Sequence, residues 1–420
     1  MIELGKLQEA TELFAKGCSL NPAHSEIHYN MGRALQFLGK FEQSKTSYHK
    51  AISLDPNNAE AYNNLGNLLK DIDKGEEAIS AFQKALFIDP GCAETQCNLS
   101  IAFLNSGKLA EGLALNEARW QSKIGSNGVR HFSKPMWDGI QDLENKVILL
   151  WSEQGPGDVV MWLSSLEYLI PLAKNCIIEC PEKLIILLRR SFPDVDVRLE
   201  NTDPASEPID FDFHSPIVSL FKSFLKHIST RSSVASYLVP NQIRVEFWKK
   251  RLNSLGNGPY IGISWKSPLI TAERSRNYTT VSDWEPVLQN IDATFINLQC
   301  KDFEDDLYEF KKRFGEEVHN FDDLDQYDDL DDVAALSAAL DMCISVSTAV
   351  STITAAVGLP TKMLHWRQSA WNNILCTPKG PSVEIFERNT LETWEKPMKL
   401  IAADVAIFSK KYVSHDIEVF

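Results

Sequence analysis

The sequence predicts two kinds of structure, an N-terminal array of paired α-helices and a C-terminal α/β region with parallel sheets. Prolines and small residues recur every 34 positions through about residues 1–120. Beyond them, short apolar runs alternate with helical segments, a pattern typical of parallel strands joined by helices. At residues 147–170, a glycine-rich turn joins one such run to a helix, a position where open α/β sheets bind ligands.

Composition is that of an ordinary globular protein and excludes several classes of function. Hydrophobic residues make up 44% of the 420 positions, and no apolar run reaches the roughly 18 residues of a membrane-spanning helix. The net charge of −15 argues against nucleic-acid binding. The start lacks signal-peptide features, and the eight cysteines show no CxxC pair or zinc spacing. We expect a cytoplasmic protein with reduced cysteines and no metal site.

The N-terminal array repeats small and helix-ending residues at fixed offsets. Small residues that let antiparallel helices approach closely stand at Gly32, Gly66 and Ser100, and prolines end the second helices at Pro22, Pro56 and Pro90. The stretch AEAYNNLGNLLK…GEEAISAFQKALFIDP resembles the tetratricopeptide repeat. We expect an α-solenoid over residues 1–120, with helix pairs near 25–54, 59–88 and 93–120.

A ladder of asparagines follows the same period, at Asn30, Asn64 and Asn98 on the first helix of each unit. An amide offers a donor and an acceptor, so such a ladder can hold a peptide backbone without reading its side chains. The resemblance points the same way, because protein O-GlcNAc transferases use an asparagine ladder in their repeats. The alternative is that these amides satisfy local backbone groups only.

The rest of the chain reads as two α/β units. Strand signals appear at 147–151, 176–180 and 195–199 in the first unit, and at 260–265, 293–299, 342–346 and 361–364 in the second. We expect Rossmann-like domains over 121–235 and 236–390, followed by a C-terminal helix and tail over 391–420. Two such domains facing a cleft resemble the GT-B architecture of nucleotide-sugar glycosyltransferases, with the first on the acceptor side and the second on the donor side.

The turn Glu153-Gln154-Gly155-Pro156-Gly157-Asp158 is neither a P-loop nor a dinucleotide fingerprint. EQGPGD after a strand resembles the EQGxGD block of tetratricopeptide proteins whose C-terminal half belongs with glycosyltransferase family 9, the ADP-heptose:lipopolysaccharide heptosyltransferase-like enzymes. In that family the matching aspartate is the catalytic base, which implies this role for Asp158. The other interpretation is that Asp158 caps the helix or positions a ligand. The resemblance places Glu153, Gln154, Gly155 and Gly157 in the loop that faces the cleft.

A basic loop follows the strand that ends at Trp265 and carries Lys266, Arg274 and Arg276. In the family this region meets the donor phosphates, and cations there would stabilise a leaving diphosphate. A solvated charge cluster is the alternative. Gln299, after the next strand, is a further candidate cleft residue.

The segment Ser345–Ser351 enters a helix directly after a strand, so its hydroxyls and free N–H groups could seat a diphosphate. Ser347, Thr348 and Ser351 are the candidates. Related sequences read Val-Asp-Thr with a histidine four residues after the threonine; here Ser347 replaces the aspartate and Thr352 the histidine. Because of these departures, a catalytically impaired protein is the alternative interpretation.

An acidic stretch lies between Asp302 and Asp332, with 14 acidic and three basic residues. Its last part, FDDLDQYDDLDD, lacks the glycine and glutamate of an EF-hand, so we expect a solvated loop that caps the next helix.

These features together predict an inverting glycosyltransferase that needs no cofactor beyond a nucleotide-sugar donor. Its acceptor would be a protein or glycan recruited by the repeats. The rival prediction is a non-catalytic interaction protein that carries a degenerate glycosyltransferase fold.

Overall fold

The computed structural model describes residues 4–122, 130–153, 155–201, 208–230, 236–269, 274–289, 291–315, 318–366, 383–389 and 392–417. The chain divides near residue 129 into two compact units. The described part of the first unit is helical, and that of the second contains two parallel sheets. No described helix combines the length and apolar character that a membrane span requires.

The N-terminal unit is a series of antiparallel helix pairs, as the 34-residue period predicts. Its helices are α1 (Leu4–Leu20), α2 (Ser25–Phe37), α3 (Phe41–Leu54), α4 (Ala59–Asp71), α5 (Gly75–Ile88), α6 (Ala93–Asn105) and α7 (Leu109–Asn116). The pairs α2–α3 and α4–α5 lie on the predicted ranges. In the last pair α7 ends at Asn116 and continues as a 3-10 turn to Gln121.

Glycines on the first helices set the spacing within each pair. A Cβ at Gly66 would lie 2.6 Å from the Phe82 ring, and one at Gly32 would lie 2.8 Å from the Tyr48 ring. Both rings are fully buried, so each aromatic side chain fills the space left by a missing side chain. The recurrence of glycine and an aromatic residue 16 positions later is therefore a packing requirement of the repeat.

The first sheet has the order β3-β2-β1-β4, and its strands are all parallel. The strands are β1 (Val147–Trp151), β2 (Asn175–Cys180), β3 (Asp196–Leu199) and β4 (Phe213–Pro216). The associated helices are α8 (Pro156–Leu163), α9 (Leu166–Leu169), α10 (Glu182–Ser191) and α11 (Leu220–Thr230). Strand β1 is central and almost completely buried, as its unbroken apolar run predicts.

The second sheet is parallel throughout and has the order β10-β9-β8-β5-β6-β7. Its strands are β5 (Tyr260–Ser264), β6 (Thr294–Asn297), β7 (Val318–His319), β8 (Met342–Val346), β9 (Thr361–His365) and β10 (Val383–Glu387). Its helices are α12 (Gln242–Asn253), α13 (Glu285–Leu288), α14 (Glu304–Phe314), α15 (Leu330–Ala339), α16 (Ala349–Ala356) and α17 (Glu395–Ile417). The prediction of parallel α/β structure is confirmed for this region of the chain.

The acidic run before α15 is more than the solvated loop that we expected. Asp329 does cap α15, because its carboxylate accepts the Asp332 N–H at 3.0 Å. Asp332 itself is only 8% exposed and binds Arg244 and the Trp248 indole N–H of α12. Asp331 pairs with Arg190 of α10. The run is therefore a set of ion pairs that joins α15 to helices of both sheet regions.

Candidate functional site

The candidate site lies where two helix starts meet. Helix α8 follows β1 and helix α16 follows β8, so both begin at carboxyl ends of parallel strands. A Cβ at Gly157 would lie 2.7 Å from the Ala349 Cα, which means that the first turns of the two helices touch. The turn after β1 and the segment after β8, which the sequence predicts as opposite walls of one cleft, are thus brought together.

Asp158 lies in the first turn of α8, three residues after Gly155, its N-cap residue. Burial raises the pKa of the Asp158 carboxyl above its ordinary value, while the Arg274 charge and backbone hydrogen bonds at Gly155 and Asp158 act against that rise. A carboxylate in this position is both a helix-capping group and a desolvated base. The two interpretations of Asp158 are therefore compatible in one geometry.

The start of α16 presents hydroxyl and amide groups. The Thr348 N–H donates to Ser351 Oγ at 3.0 Å, and that hydroxyl donates to the Thr348 carbonyl at 2.8 Å. Ser351 is fully buried and closes the helix start. Thr348 Oγ1 stands in capping-box position toward the Ser351 N–H, but this buried oxygen has no well-formed hydrogen bond with any described residue. Thr348 is thus the hydroxyl of this segment that could accept or donate to a ligand.

Ser347 is half-buried, and its N–H donates to the Leu364 carbonyl at 3.2 Å. That bond extends the pairing of β8 with β9 by one residue. Ser347 therefore links the start of α16 to the end of β9.

Arg274 and Arg276 lie on a 3-10 turn, Arg274–Asn277. Arg274 is close enough to Asp158 to lower the pKa of that carboxyl. The Arg276 guanidinium carbon lies 5.2 Å from the centre of the Trp366 ring, just after β9. Of the basic loop, Arg274 therefore lies near the carboxyl end of β1 and Arg276 near that of β9.

Lys266 and Gln299 are engaged elsewhere. The Lys266 ammonium pairs with Asp306 at 2.6 Å. Gln299 has no exposed surface, and its Oε1 accepts the N–H groups of Trp265 and Lys266 at 3.2 and 3.1 Å. Gln299 thus holds the backbone just after β5, and the Lys266 charge is paired with the Asp306 carboxylate.

The loop that leads into α8 is only partly described. Glu153 is half-buried and Gly155 is exposed. Gln154 lies outside the described residues. The site that the structure brings together thus consists of Asp158, Gly157, Arg274 and Thr348, with Arg276 beside it.

Sequence reasoning missed Arg388. It directly follows β10, a strand that no sequence pattern predicted, and its guanidinium donates to the carbonyl oxygen of Arg276 at 2.6 Å. A lone arginine after an unrecognised strand carries no motif. Only the fold places it beside the basic loop.

The asparagine ladder is half-buried, and two of its members bind the preceding repeat. The Asn64 amide donates to the Tyr29 hydroxyl at 2.9 Å, and the Asn98 amide donates to Asn63 Oδ1 at 3.0 Å. Tyr29 in turn donates to Glu60, and burial together with that carboxylate raises the Tyr29 pKa to about 12. These contacts join successive first helices through side chains, a role that neither interpretation of the ladder predicted.

Comparisons with known proteins recognise the repeats. Residues 37–73 match the family described as TPR repeat, and residues 59–92 match the tetratricopeptide repeat. Protein FlbA of Caulobacter vibrioides is 32% identical over 319 residues, which cover 72% of this chain and 53% of FlbA. The chain thus spans about half the length of the curated relative it matches.

Two similar solved structures each align with 28% of this chain. MamA residues 41–end from Desulfovibrio magneticus RS-1 is 23% identical, with a TM-score of 0.27, and the match covers 28% of this chain and 66% of that one. YrrB, titled a TPR protein with an unusual peptide-binding site, is 19% identical, with a TM-score of 0.26 and coverages of 28% and 61%. The family matches and the helix pairs agree: the N-terminal region of this chain consists of tetratricopeptide repeats.

Proposed function

We propose that this protein is an inverting, metal-independent glycosyltransferase that uses a nucleotide-diphosphate sugar. The observation that carries the proposal is the convergence of Asp158, Arg274 and the first turn of α16 at the carboxyl ends of β1 and β8. Ligands of open α/β folds bind at such ends. The resemblance of the EQGPGD block to proteins of glycosyltransferase family 9, and of the two expected α/β domains to the GT-B architecture, supports the same reaction class.

Asp158 would act as the general base. Its carboxylate would take the proton of the acceptor hydroxyl while that oxygen attacks the anomeric carbon from the face opposite the leaving group. The bond from the anomeric carbon to the diphosphate oxygen breaks, so the configuration inverts. Burial favours this role, because a raised pKa makes the carboxylate a stronger base.

The leaving diphosphate would be stabilised by positive groups opposite Asp158. Helix α16 offers the free N–H groups and positive dipole of its first turn, and Thr348 offers its hydroxyl. Arg274 adds a full charge. Cationic and dipolar groups of this kind can replace a metal ion in stabilising a diphosphate.

The tetratricopeptide repeats would recruit the protein or glycan acceptor. Repeats of this type imply protein interaction. The Asn64 and Asn98 amides each use one N–H toward the neighbouring helix, so their contribution to a bound peptide would come from the second N–H and the oxygen of each amide.

The proposal is tested by binding and turnover of nucleotide sugars. We expect calorimetry with UDP-, GDP-, ADP- and CMP-linked sugars to show saturable binding of at least one donor, and slow release of its nucleotide in water. Asp158→Asn should lower turnover by about a hundredfold or more at nearly unchanged donor affinity. Asp194→Asn, an exposed aspartate, serves as the charge-matched control. Binding of none of these donors, or full turnover by the Asp158 variant, would contradict the proposal.

A second candidate function is a non-catalytic interaction protein. Two observations favour it. Lys266, a predicted phosphate ligand, is paired with Asp306 instead, and Ser347 and Thr352 stand where related sequences have an aspartate and a histidine. Under this alternative the full chain binds a protein partner through its repeats and no nucleotide sugar stabilises it against heat.

A further inference from the structure

We propose that Arg388 and Arg276 form a binding site for a diphosphate anion at the carboxyl ends of β9 and β10. The inference rests on the proposed function for its biological ligand, the diphosphate of the donor. It adds to that function a residue, Arg388, that no motif in the sequence indicates.

Arg388 is held in a fixed position. Its Nη1 donates to the Glu392 carbonyl at 2.8 Å, and its Nη2 donates to the Arg276 carbonyl at 2.6 Å. The guanidinium carbon lies 4.7 Å from the centre of the Trp394 ring. A guanidinium held on two sides in this way is preorganised, so binding an anion costs it little conformational entropy.

One nitrogen of the Arg388 guanidinium makes no hydrogen bond to a described residue. That nitrogen is Nε, and it is buried. Buried donors without partners are rare in folded proteins because each loses its hydrogen bond to water and gains none in return. The Nε–H of an arginine is one of the donors with which the residue forms a two-pronged contact to phosphate.

A second positive charge lies near Arg388. Burial is the main cause of the lowered pKa of Arg388; the Asp283 charge opposes that lowering, and the Arg276 charge adds to it by a smaller amount. Within the described residues, no carboxylate lies within ion-pair distance of the Arg388 guanidinium. An anion that contacts both residues would be attracted by both positive charges.

The pair is continuous with the candidate site. Strands β8, β9 and β10 are neighbours, so their carboxyl ends share one edge of the sheet. The Arg276 side chain lies over Trp366 after β9, and Ser347 binds the backbone of β9. A diphosphate could therefore place one phosphate at the start of α16 and the other at the arginines.

Inorganic pyrophosphate is the direct probe, because it carries the diphosphate without nucleotide or sugar. We expect the full chain to bind it, and Arg388→Met and Arg276→Met each to weaken the dissociation constant about tenfold or more. Arg313→Met removes the same charge from an exposed position on α14 and should leave pyrophosphate affinity unchanged. Thermal unfolding of each variant checks that the fold is retained, and Arg388→Lys provides a second, charge-preserving variant that should bind with intermediate affinity.

The outcomes separate this inference from the proposed function. Absence of pyrophosphate binding by the parent chain, or equal affinity in folded Arg388 variants, overturns the arginine site. If Arg388→Met leaves donor turnover unchanged, the arginine site is also overturned, but the proposed glycosyltransferase function is not. Pyrophosphate binding that needs Arg388, without turnover of any nucleotide sugar, supports the site and overturns the glycosyltransferase.

Discussion

Where the starts of α8 and α16 meet, neighbouring residues serve different purposes, one in packing and one in the candidate site. Gly157 permits the first turn of α8 to touch Ala349, and Asp158 is the next residue of that turn. Asp158 is half-buried, and desolvation raises the pKa of its carboxyl.

We predict that Gly157→Ala destabilises the α/β unit. The new Cβ would lie 2.7 Å from the Ala349 Cα, a backbone atom that cannot rotate away, and overpacking of this kind costs about 1–3 kcal/mol. The free energy of unfolding in urea measures the cost. Gly155→Ala is the control, because its Cβ would meet only the Asp158 carboxylate at 3.6 Å. Equal destabilisation by both substitutions would show that the α8–α16 contact is not tight.

At the scale of single residues, the sequence predicted where candidate site residues lie better than it predicted what their side chains contact. The motif predicted a helix start at EQGPGD, and Asp158 lies in the first turn of α8. It could not predict that Gln299 is fully buried or that Asp306 neutralises Lys266, because both facts depend on pairings between segments distant in the chain. Spacing along a chain does not encode such pairings.

At the level of secondary-structure elements, the acidic run is the feature for which the structure differs most from the expectation. Its carboxylates hold α10 and α12 against α15, chiefly through Asp331 with Arg190 and Asp332 with Arg244. Tyr327 lies between two lysines, with Lys301 Nζ at 3.5 Å and Lys183 Nζ at 3.9 Å from its ring centre. Because α10 belongs to the first sheet region, these contacts help to hold the two regions together.

We predict that Asp332→Ala destabilises the protein by about 3 kcal/mol, since it leaves the Trp248 indole N–H and the Arg244 guanidinium without their acceptor. Asp305→Ala removes an exposed acid from the same stretch and should change the unfolding free energy by less than about 1 kcal/mol. Chemical denaturation of both variants makes the comparison. Similar small effects would mean that the run is a solvated loop after all.

Elements with strong patterns were predictable, and those without were not. The apolar runs predicted β1, β2, β5 and β8 nearly residue for residue, because central strands of parallel sheets are buried on both faces. The strands β4 and β10 were missed. The four-residue strand β4 contains a histidine and a serine, and β10 carries two glutamates, so neither forms the unbroken apolar run that marked the buried strands.

At the scale of the whole molecule, the buried and paired carboxyls make opposite contributions to the pH dependence of stability. Hydrogen bonds from Arg251 lower the pKa of Asp323, and backbone N–H groups of Asp328 and Tyr327 lower that of Asp325. Their stabilisation is complete above the unfolded aspartate pKa of about 3.9 and is lost as pH falls through the lower folded values. For Asp158 the folded pKa is raised, so its cost is absent at low pH and complete above that raised pKa.

We therefore predict that Asp158→Asn and Asp323→Asn change the pH profile of unfolding in opposite ways. Without the Asp158 carboxyl, stability should rise more steeply with pH through the acidic range, and the variant should exceed the parent at neutral pH. Without the Asp323 carboxyl, the rise should be shallower. Urea unfolding across a pH series, with Asp194→Asn as a variant that parallels the parent, measures both. The three variants carry the same net charge, so the difference between each profile and that of Asp194→Asn isolates the carboxyl that was removed. A pH-independent offset for Asp158→Asn would show that this carboxyl is not buried, and would remove the physical basis for its action as a strong base.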